Sequence, residues 1–385
     1  MAAEVAASNG HAVSVYDQHR SPARKFVLAG RGGLNLTHSE PIDDLLNRYG
    51  PERQHLEPAI RTFTPTDLRA WCDGLGHPTF VGTSGRVFPE EFRAVPLLRS
   101  WLARLEDLGV VFHPQHSWRG WNDDGELEFE TSNSLREVAA DRTVLALGGA
   151  SWPRVGSNGS WTKLLIDCGV EVEPLRPTNC GVHVEWSPVM VDKFAGEPLK
   201  NVAVVVDGHA VRGDPIITTN GLEGGPIYAH SRRIRERLGA GDNTIEVDLA
   251  PDRDFDSLEQ LLSSKQRKGD STAKWLRNCG ISPASSSLMR EATGNDMPKD
   301  PAEIAELAKA VPISVSAMAG IDRAISSAGG VAWSEVDEGF QLRKMPNVYV
   351  VGEMLDWEAP TGGYLLQACF STAHHAAGGF VATSD

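Results

Sequence analysis

One segment near the end of this 385-residue chain restricts its fold more than any other. Val348-Tyr-Val-Val351 is an apolar run of the length of a short buried strand. It stops at Gly352-Glu353, and after a loop through Asp356 and Thr361 the pair Gly362-Gly363 opens a helix predicted from Tyr364 to about Ala377. Strand, glycine and acid, loop, paired glycines, helix is how an α/β protein brings backbone against a ligand at the carboxyl end of a parallel sheet. Glu353 can accept from a hydroxyl-bearing chain. A helix start without side-chain bulk offers N–H groups and a partial positive charge to something electron-rich. A flavin has both features: ribityl hydroxyls, and a pyrimidine edge that gains negative charge on reduction. An ordinary strand-to-helix turn would use the same glycines, so other segments must decide between the two.

The beginning of the chain reads as the second half of a dinucleotide-binding unit. Met1 to Ser8 is alanine-rich and helix-favouring, and Asn9-Gly10 is a helix stop. Ala12-Val-Ser-Val-Tyr16 alternates as a strand and ends at Asp17, where the ribose hydroxyls of an adenine dinucleotide would sit. The first strand and the Gly-x-Gly-x-x-Gly turn of such a unit are expected ahead of Met1. About 10–20 further residues would supply them. The alternative is a short native helix at a true N-terminus.

Four further segments carry polar or glycine-rich chemistry. In Ser21–Thr37, Gly30, Gly32 and Gly33 permit a loop that turns N–H groups towards an anion, while Arg24, Lys25 and Arg31 add positive charge. Asn35 or Thr37 is placed to cap a following helix. Val144 to Leu147 reads as a buried strand, and Gly148-Gly149 lets the chain leave the sheet close to a bound dinucleotide. Ala324 to Val331 contains a second glycine pair, read as a turn returning the chain to the sheet. Arg86, after Thr83-Ser-Gly, has functional potential but equally fits a salt-bridged surface position. The helix expected from about Val95 to Leu108 puts Leu97, Leu98, Trp101, Leu102 and Leu105 at core spacing.

Composition narrows the partners. Fifty-one acids against 37 bases give a net charge of −14, which repels phosphate backbones and counts against nucleic acid. The basic cluster Ser231 to Arg237 alternates as a solvated helix face would. Five cysteines, odd in number and never in a Cys-x-x-Cys pair, offer neither a zinc site nor a disulfide scaffold and fit a reducing, cytoplasmic setting. No apolar run reaches the length of a membrane span, and no metal spacing involves the histidines, including His374-His375.

Taken in order, GRGGLNLTHSEP (30–41), GTSGRVFP (82–89), VLALGGASWPRVGS (144–157), AISSAGGV (324–331) and VGEMLDWEAPTGGYLLQACF (351–370) resemble the BaiN-like and aminoacetone-oxidase-like bacterial flavoproteins, described as NAD(P)/FAD-dependent oxidoreductases. The resemblance spans nearly the whole chain. It implies an α/β, Rossmann-like FAD-binding domain over 1–180 and 319–385, lacking its first strand and glycine turn. An insert at 181–318 would interrupt it, β-barrel-like over about 181–250 and helical over about 255–311. Asp17 would take the adenosine ribose, and the loop from Gly30 to Thr37 would wrap the cofactor. Gly148-Gly149 would form the inner turn, Glu353 would reach the pyrophosphate–ribityl region, and Thr361 to Tyr364 would cover the pyrimidine edge; Gly352 and Asp356 are further cofactor-binding candidates. Many relatives carry Gly-Gly-Gly-Arg-Cys-Asn where this chain has Gly30-Arg-Gly-Gly-Leu-Asn35, so no cysteine role transfers here.

The middle of the chain supports an insert independently, with strand patterns at Val182–Glu185, Val202–Val206, Ala210–Arg212 and Thr244–Leu249, then helical charged sequence to Ala310. Ile216–Tyr228 is read as a glycine-rich turn, fitting a bulge or a substrate contact equally. The expected activity is FAD-dependent oxidation or reduction of a small molecule, with NAD(P)H as candidate electron donor. Two alternatives stand beside it: reduction of a base in ribosomal RNA, which relatives of the family suggest, and a remnant that no longer binds flavin. Tyr364 and Tyr228 are candidate proton donors, each also suited to half-buried packing. No motif specifies the substrate or the oligomeric state.

Overall fold

The computed structural model describes residues 1–30 and 32–380 and divides into two compact units, Met1–Arg176 with the stretch from Ser326, and Pro177–Ile325. The first unit opens with α1 (Ala2–Ser8), whose alanines carry it to Asn9, and continues into β1 (Ser14–Asp17). After α2 (Arg24–Ala29) and the short β2 (Thr37–His38) come α3 (Ile42–Asn47), α4 (Arg53–Thr62) and α5 (Pro65–Gly74). α5 begins at a capping box, in which Thr64 and Asp67 satisfy each other's backbone N–H groups behind Pro65. β3 (Thr79–Val81) and β4 (Arg86–Pro89) lead to α6 (Ala94–Asp107), which buries Leu97, Leu98 and Leu105 as its spacing predicts.

This unit contains two parallel ladders. β1 pairs with β5 (Val111–Pro114), Ser14 opposite Val111 and Asp17 opposite Pro114. A meander of β6 (Ser117–Trp121), β7 (Leu127–Glu130) and β8 (Leu135–Val138) precedes β9 (Thr143–Leu145). α7 (Trp161–Asp167) and β10 (Val172–Thr178) complete the N-terminal stretch.

The second unit holds β11 (Val182–His183), α8 (Pro188–Phe194), β12 (Val202–Val206), β13 (His209–Gly213), β14 (Ile216–Thr218) and β15 (Gly221–Glu223). Two short helices, α9 (Gly225–Ala229) and α10 (Ser231–Gly239), precede β16 (Thr244–Asp248). The charged stretch folds as α11 (Phe255–Lys265), α12 (Thr272–Asn278), α13 (Pro283–Ala292) and α14 (Pro301–Lys309), followed by β17 (Val311–Ser314) and β18 (Ala317–Met318). Asp254, Ser271, Ser282 and Asp300 each cap one of those four helices through their side chains. Sheets ordered β14-β15-β11-β18 and β13-β12-β16-β17 contribute Val182, Ile217 and Val204 to one core.

The chain re-enters the first unit through β19 (Ser326–Val331), which pairs with β10, and β20 (Val348–Val350), which pairs in parallel with β9. The glycine pair in β19 is not a turn. Gly329 and Gly330 lie inside the strand, and side chains there would strike the backbone of Pro174 and of Met354–Leu355. The pair serves close backbone approach. The last helix, α15 (Tyr364–Gly378), packs against α1 and α4 and buries Tyr364, Gln367, Ala368 and Phe370. Among the described residues, no helix is long and apolar enough to cross a membrane.

Candidate cofactor site

At the carboxyl end of β1, the Asp17 carboxylate accepts from the His19 N–H at 2.7 Å and lines a cavity of about 190 Å³ with Val15, Arg20, Pro22 and His113. Behind it the Tyr16 ring is stacked between His113 at 4.4 Å and Phe129 at 4.3 Å. That stack fixes the end of the strand. Burial, with help from His116 and Arg136, pushes the His113 imidazole down, so the ring stays neutral beside this cavity.

The loop after α2 divides its glycines between two tasks. A Cβ on Gly30 would lie 2.5 Å from that of Ala94, and one on Gly33 would enter the Phe92 ring, so packing onto the start of α6 accounts for both. Gly32 borders open space. Arg24 is exposed at the start of α2, and Arg31 lies outside the described residues. Leu34 is fully buried with Leu68, Leu97 and Phe370, an apolar role that needs no cysteine. Neither Asn35 nor Thr37 caps a helix: α3 starts after Pro41 without a side-chain cap, and Thr37 sits in β2. Instead, Asn35 carries a buried Oδ1 with no partner among the described residues.

Lys25, Gly148, Gly149 and Glu353 converge. The Lys25 ammonium donates to Glu353 Oε2 at 2.8 Å, while Glu353 Oε1 is buried with no partner among the described residues. Side chains added at Gly148 and Gly149 would stand 3.9 Å and 3.8 Å from that carboxylate, and the one at Gly149 would collide with Ser327. Ser327 Oγ accepts from the Ala150 N–H at 2.8 Å, and the Trp161 indole donates to the Gly148 carbonyl at 2.8 Å. The double-glycine turn is thereby tied down from both sides. Gly352 is held likewise: its N–H donates to Thr372 Oγ1 at 3.1 Å and its carbonyl accepts from the Trp357 indole at 2.7 Å. Burial drives the nearby Cys369 thiol up to about 12, reinforced by the Glu353 charge, so it stays protonated. Asp356 stands apart, its carboxyl raised by burial and by the neighbouring Glu173 and Glu52.

Thr361 leads into Gly362, Gly363 and Tyr364, the last three of which are buried, and among the described residues no side chain caps the start of α15. The Tyr364 hydroxyl donates to Glu40 Oε1 at 2.7 Å, and Arg48 clamps the same carboxylate at 3.2 Å and 2.7 Å. Burial raises Glu40, but the bonds from Arg48 and Tyr364 outweigh it and leave the carboxyl lowered. Burial, then Glu40, pushes the Tyr364 phenol well up, so it is protonated through neutral pH. The His38 ring stacks on Tyr364 at 5.4 Å; its Nδ1 accepts from the Glu40 N–H at 3.2 Å, leaving Nε2 to donate to the Ser84 carbonyl at 2.9 Å. Glu40, Arg48, His38 and Ser327 carried no assignment from sequence. Glu40 and Ser327 lie within the quoted motifs, but nothing in linear spacing brings them to Tyr364 or Gly149. Tyr228 lies in the second unit, on α9 and not on a plain turn, its phenol raised by burial.

An unpartnered buried carboxylate oxygen, a glycine pair leaving room beside it, and an uncapped buried helix start all fit a ligand with hydroxyls and an electron-rich edge. Together with the parallel ladders, they define a Rossmann-type dinucleotide-binding protein of the flavin kind. The chain belongs to the HI0933-like protein Rossmann domain family, which it matches over residues 1–379, an FAD-binding oxidoreductase family. It is 24% identical over 385 residues to the 3-dehydro-bile acid delta(4,6)-reductase of Clostridium scindens, covering 96% of this chain and 93% of that one. It is 22% identical over 384 residues to the ribosomal RNA dihydrouridine synthase of Escherichia coli, covering 96% and 92%. Among solved structures, 3-ketosteroid delta1-dehydrogenase from Sterolibacterium denitrificans shares the fold, with a TM-score of 0.51 at 12% identity over 98% of this chain and 96% of that one.

Proposed function

We propose that this chain is an FAD-dependent oxidoreductase that reduces a carbon–carbon double bond in a small molecule. The observation that carries the cofactor part is the Glu353 carboxylate, one oxygen anchored by Lys25 and the other buried beside Gly149 with no partner among the described residues. A cofactor hydroxyl would satisfy that oxygen. Asp17, over its cavity, would take the ribose hydroxyls, and the first N–H groups of α15 would face the pyrimidine edge. A bound flavin supplies hydride transfer; the side chains described here bind, orient and hold protons. Tyr364, kept protonated by burial and Glu40, is the candidate proton donor.

The substrate class is supported by the two curated relatives, since both names describe saturation of a ring carbon–carbon double bond. A small molecule is favoured over RNA because the chain carries a net charge of −14. NAD(P)H is the proposed electron donor. The test begins with the purified full chain: flavin absorption bands, release of FAD on denaturation, and anaerobic bleaching by NADH or NADPH are expected. A protein that stays colourless after incubation with FAD would overturn the reading. Salt-sensitive binding of ribosomal RNA fragments would move the substrate to the RNA alternative.

A further inference from the structure

Lys25 reaches Glu353 along a fitted path. A Cβ on Gly156 would lie 3.1 Å from Lys25 Cδ, so the loop after Gly149 leaves a slot through which the lysine stem passes. The ammonium then meets Glu353 Oε2 at 2.8 Å, with side-chain exposures of 27% and 12%. One oxygen of a carboxylate bound in this way fixes the plane and direction of the other. Here the other is Oε1, buried next to Gly149 and unpartnered among the described residues.

We propose that Lys25 is a positioning residue: it holds Glu353 in the orientation that presents Oε1 to a cofactor hydroxyl, and so governs FAD affinity through Glu353. The inference rests on the flavin reading above. Removing the ammonium releases the carboxylate to rotate, and leaves a mostly buried charge without its partner. The flavin hydroxyl then meets a mobile acceptor, and part of the ordering is transferred to the binding step.

The test is FAD titration, followed by fluorescence, of the full chain stripped of cofactor. Lys25→Met is expected to weaken binding roughly tenfold, the scale of one hydrogen bond to a charged group. Lys25→Arg is expected to recover most of the loss, because it restores the cation. The pair Lys25→Met with Glu353→Gln is expected to bind no more weakly than Glu353→Gln alone. Should Lys25→Met fail to fold, Gly156→Val, which blocks the slot for the stem, is expected to give the same roughly tenfold loss. Lys25→Met affinity within twofold of the wild type overturns the inference. Losses that multiply in the double variant overturn it too, since they show Lys25 touching the cofactor directly. A wild-type chain that binds no FAD overturns the flavin reading itself, and the inference with it.

Discussion

Thr37 and Gln367, 330 positions apart in the chain, meet through a 2.6 Å hydrogen bond from the threonine hydroxyl to the amide oxygen, both side chains sealed from solvent. The Gln367 amide also donates to the Phe63 carbonyl at 2.8 Å and to Ser371 Oγ at 3.0 Å, and Ser371 donates to Phe63 at 2.7 Å. Every polar group of Gln367 is used. A satisfied buried network of this kind fixes the rotation of α15 against β2.

Gln367→Leu is therefore expected to destabilise the protein by about 2–3 kcal/mol, because the Thr37 hydroxyl loses its only acceptor in this network. Thr37→Val leaves one buried amide oxygen bare, at a cost of about 1–2 kcal/mol. Urea unfolding measures both. Losses under about 0.5 kcal/mol would show that the network does not secure the helix.

Gly363 makes the same contact from the backbone side. Its φ is +97°, and a Cβ would lie 2.5 Å from the Thr37 backbone. Gly363→Ala combines a left-handed conformation with an overlap that no side-chain rotation relieves, so a loss of about 3 kcal/mol is expected. Calorimetric melting of wild type and variant checks this. A melting temperature within about 2 °C of wild type would mean that β2 moves aside freely.

Glu4 ties α1 to α5 and α6. Its carboxylate accepts from the Trp71 indole at 3.0 Å, the Trp101 indole at 2.7 Å and Arg104 at 3.1 Å. Glu4→Leu strands two indole donors and leaves Arg104 only the Gly74 carbonyl, and about 3 kcal/mol should be lost. Tryptophan fluorescence follows the unfolding and also reports the local change, since the two rings lie 4.9 Å apart. An unaltered emission spectrum with unaltered stability would contradict this role.

Much of this was legible in the sequence for a physical reason: strands and helices with one buried face repeat at fixed periods. Val348–Val350, Ala94–Asp107 and Tyr364–Gly378 follow from apolar spacing and glycine placement. What linear spacing could not show is why a given glycine is glycine. Gly30 and Gly33 read as an anion cradle, yet Ala94 and Phe92 fill the space a side chain would need. Gly329-Gly330 read as a turn, yet it is the Pro174 and Met354 backbone that excludes side chains. Such contacts join segments from about 25 to about 155 positions apart, at separations that follow no fixed period. Glu353 was legible as an acid after a strand; its partner Lys25, 328 positions earlier, was legible only as a charge.

Stability should fall as acid is added below neutral pH. Burial lowers the imidazole of His374, which stacks on Phe63 at 4.8 Å, and also those of His230 and His55, from an ordinary value of 6.5. The unfolded chain then binds more protons than the folded one between the lowered values and 6.5, so unfolding free energy rises with pH in that window. The stabilisation is complete above 6.5 and lost as pH falls through the folded values. Urea midpoints at pH 7.5 and 5.5 test this, and His374→Phe should flatten part of the difference. A protein equally stable at both values would refute it.

Tyr364→Phe separates chemistry from packing at the start of α15. The ring would keep its stack with His38 and its edge contact with Tyr49 at 6.5 Å, and Glu40 would keep Arg48. The lost bond to a charged acceptor should cost about 1–2 kcal/mol, too little to unfold the chain or to expel flavin. If the phenol delivers the proton that completes double-bond reduction, turnover of a conjugated ketone should fall about 100-fold or more, the usual worth of a positioned acid. Reduction of the flavin by NAD(P)H should be unchanged, because that step takes no proton from Tyr364. Equal losses in both half-reactions would point to a displaced flavin, and unchanged turnover would remove Tyr364 from the chemistry.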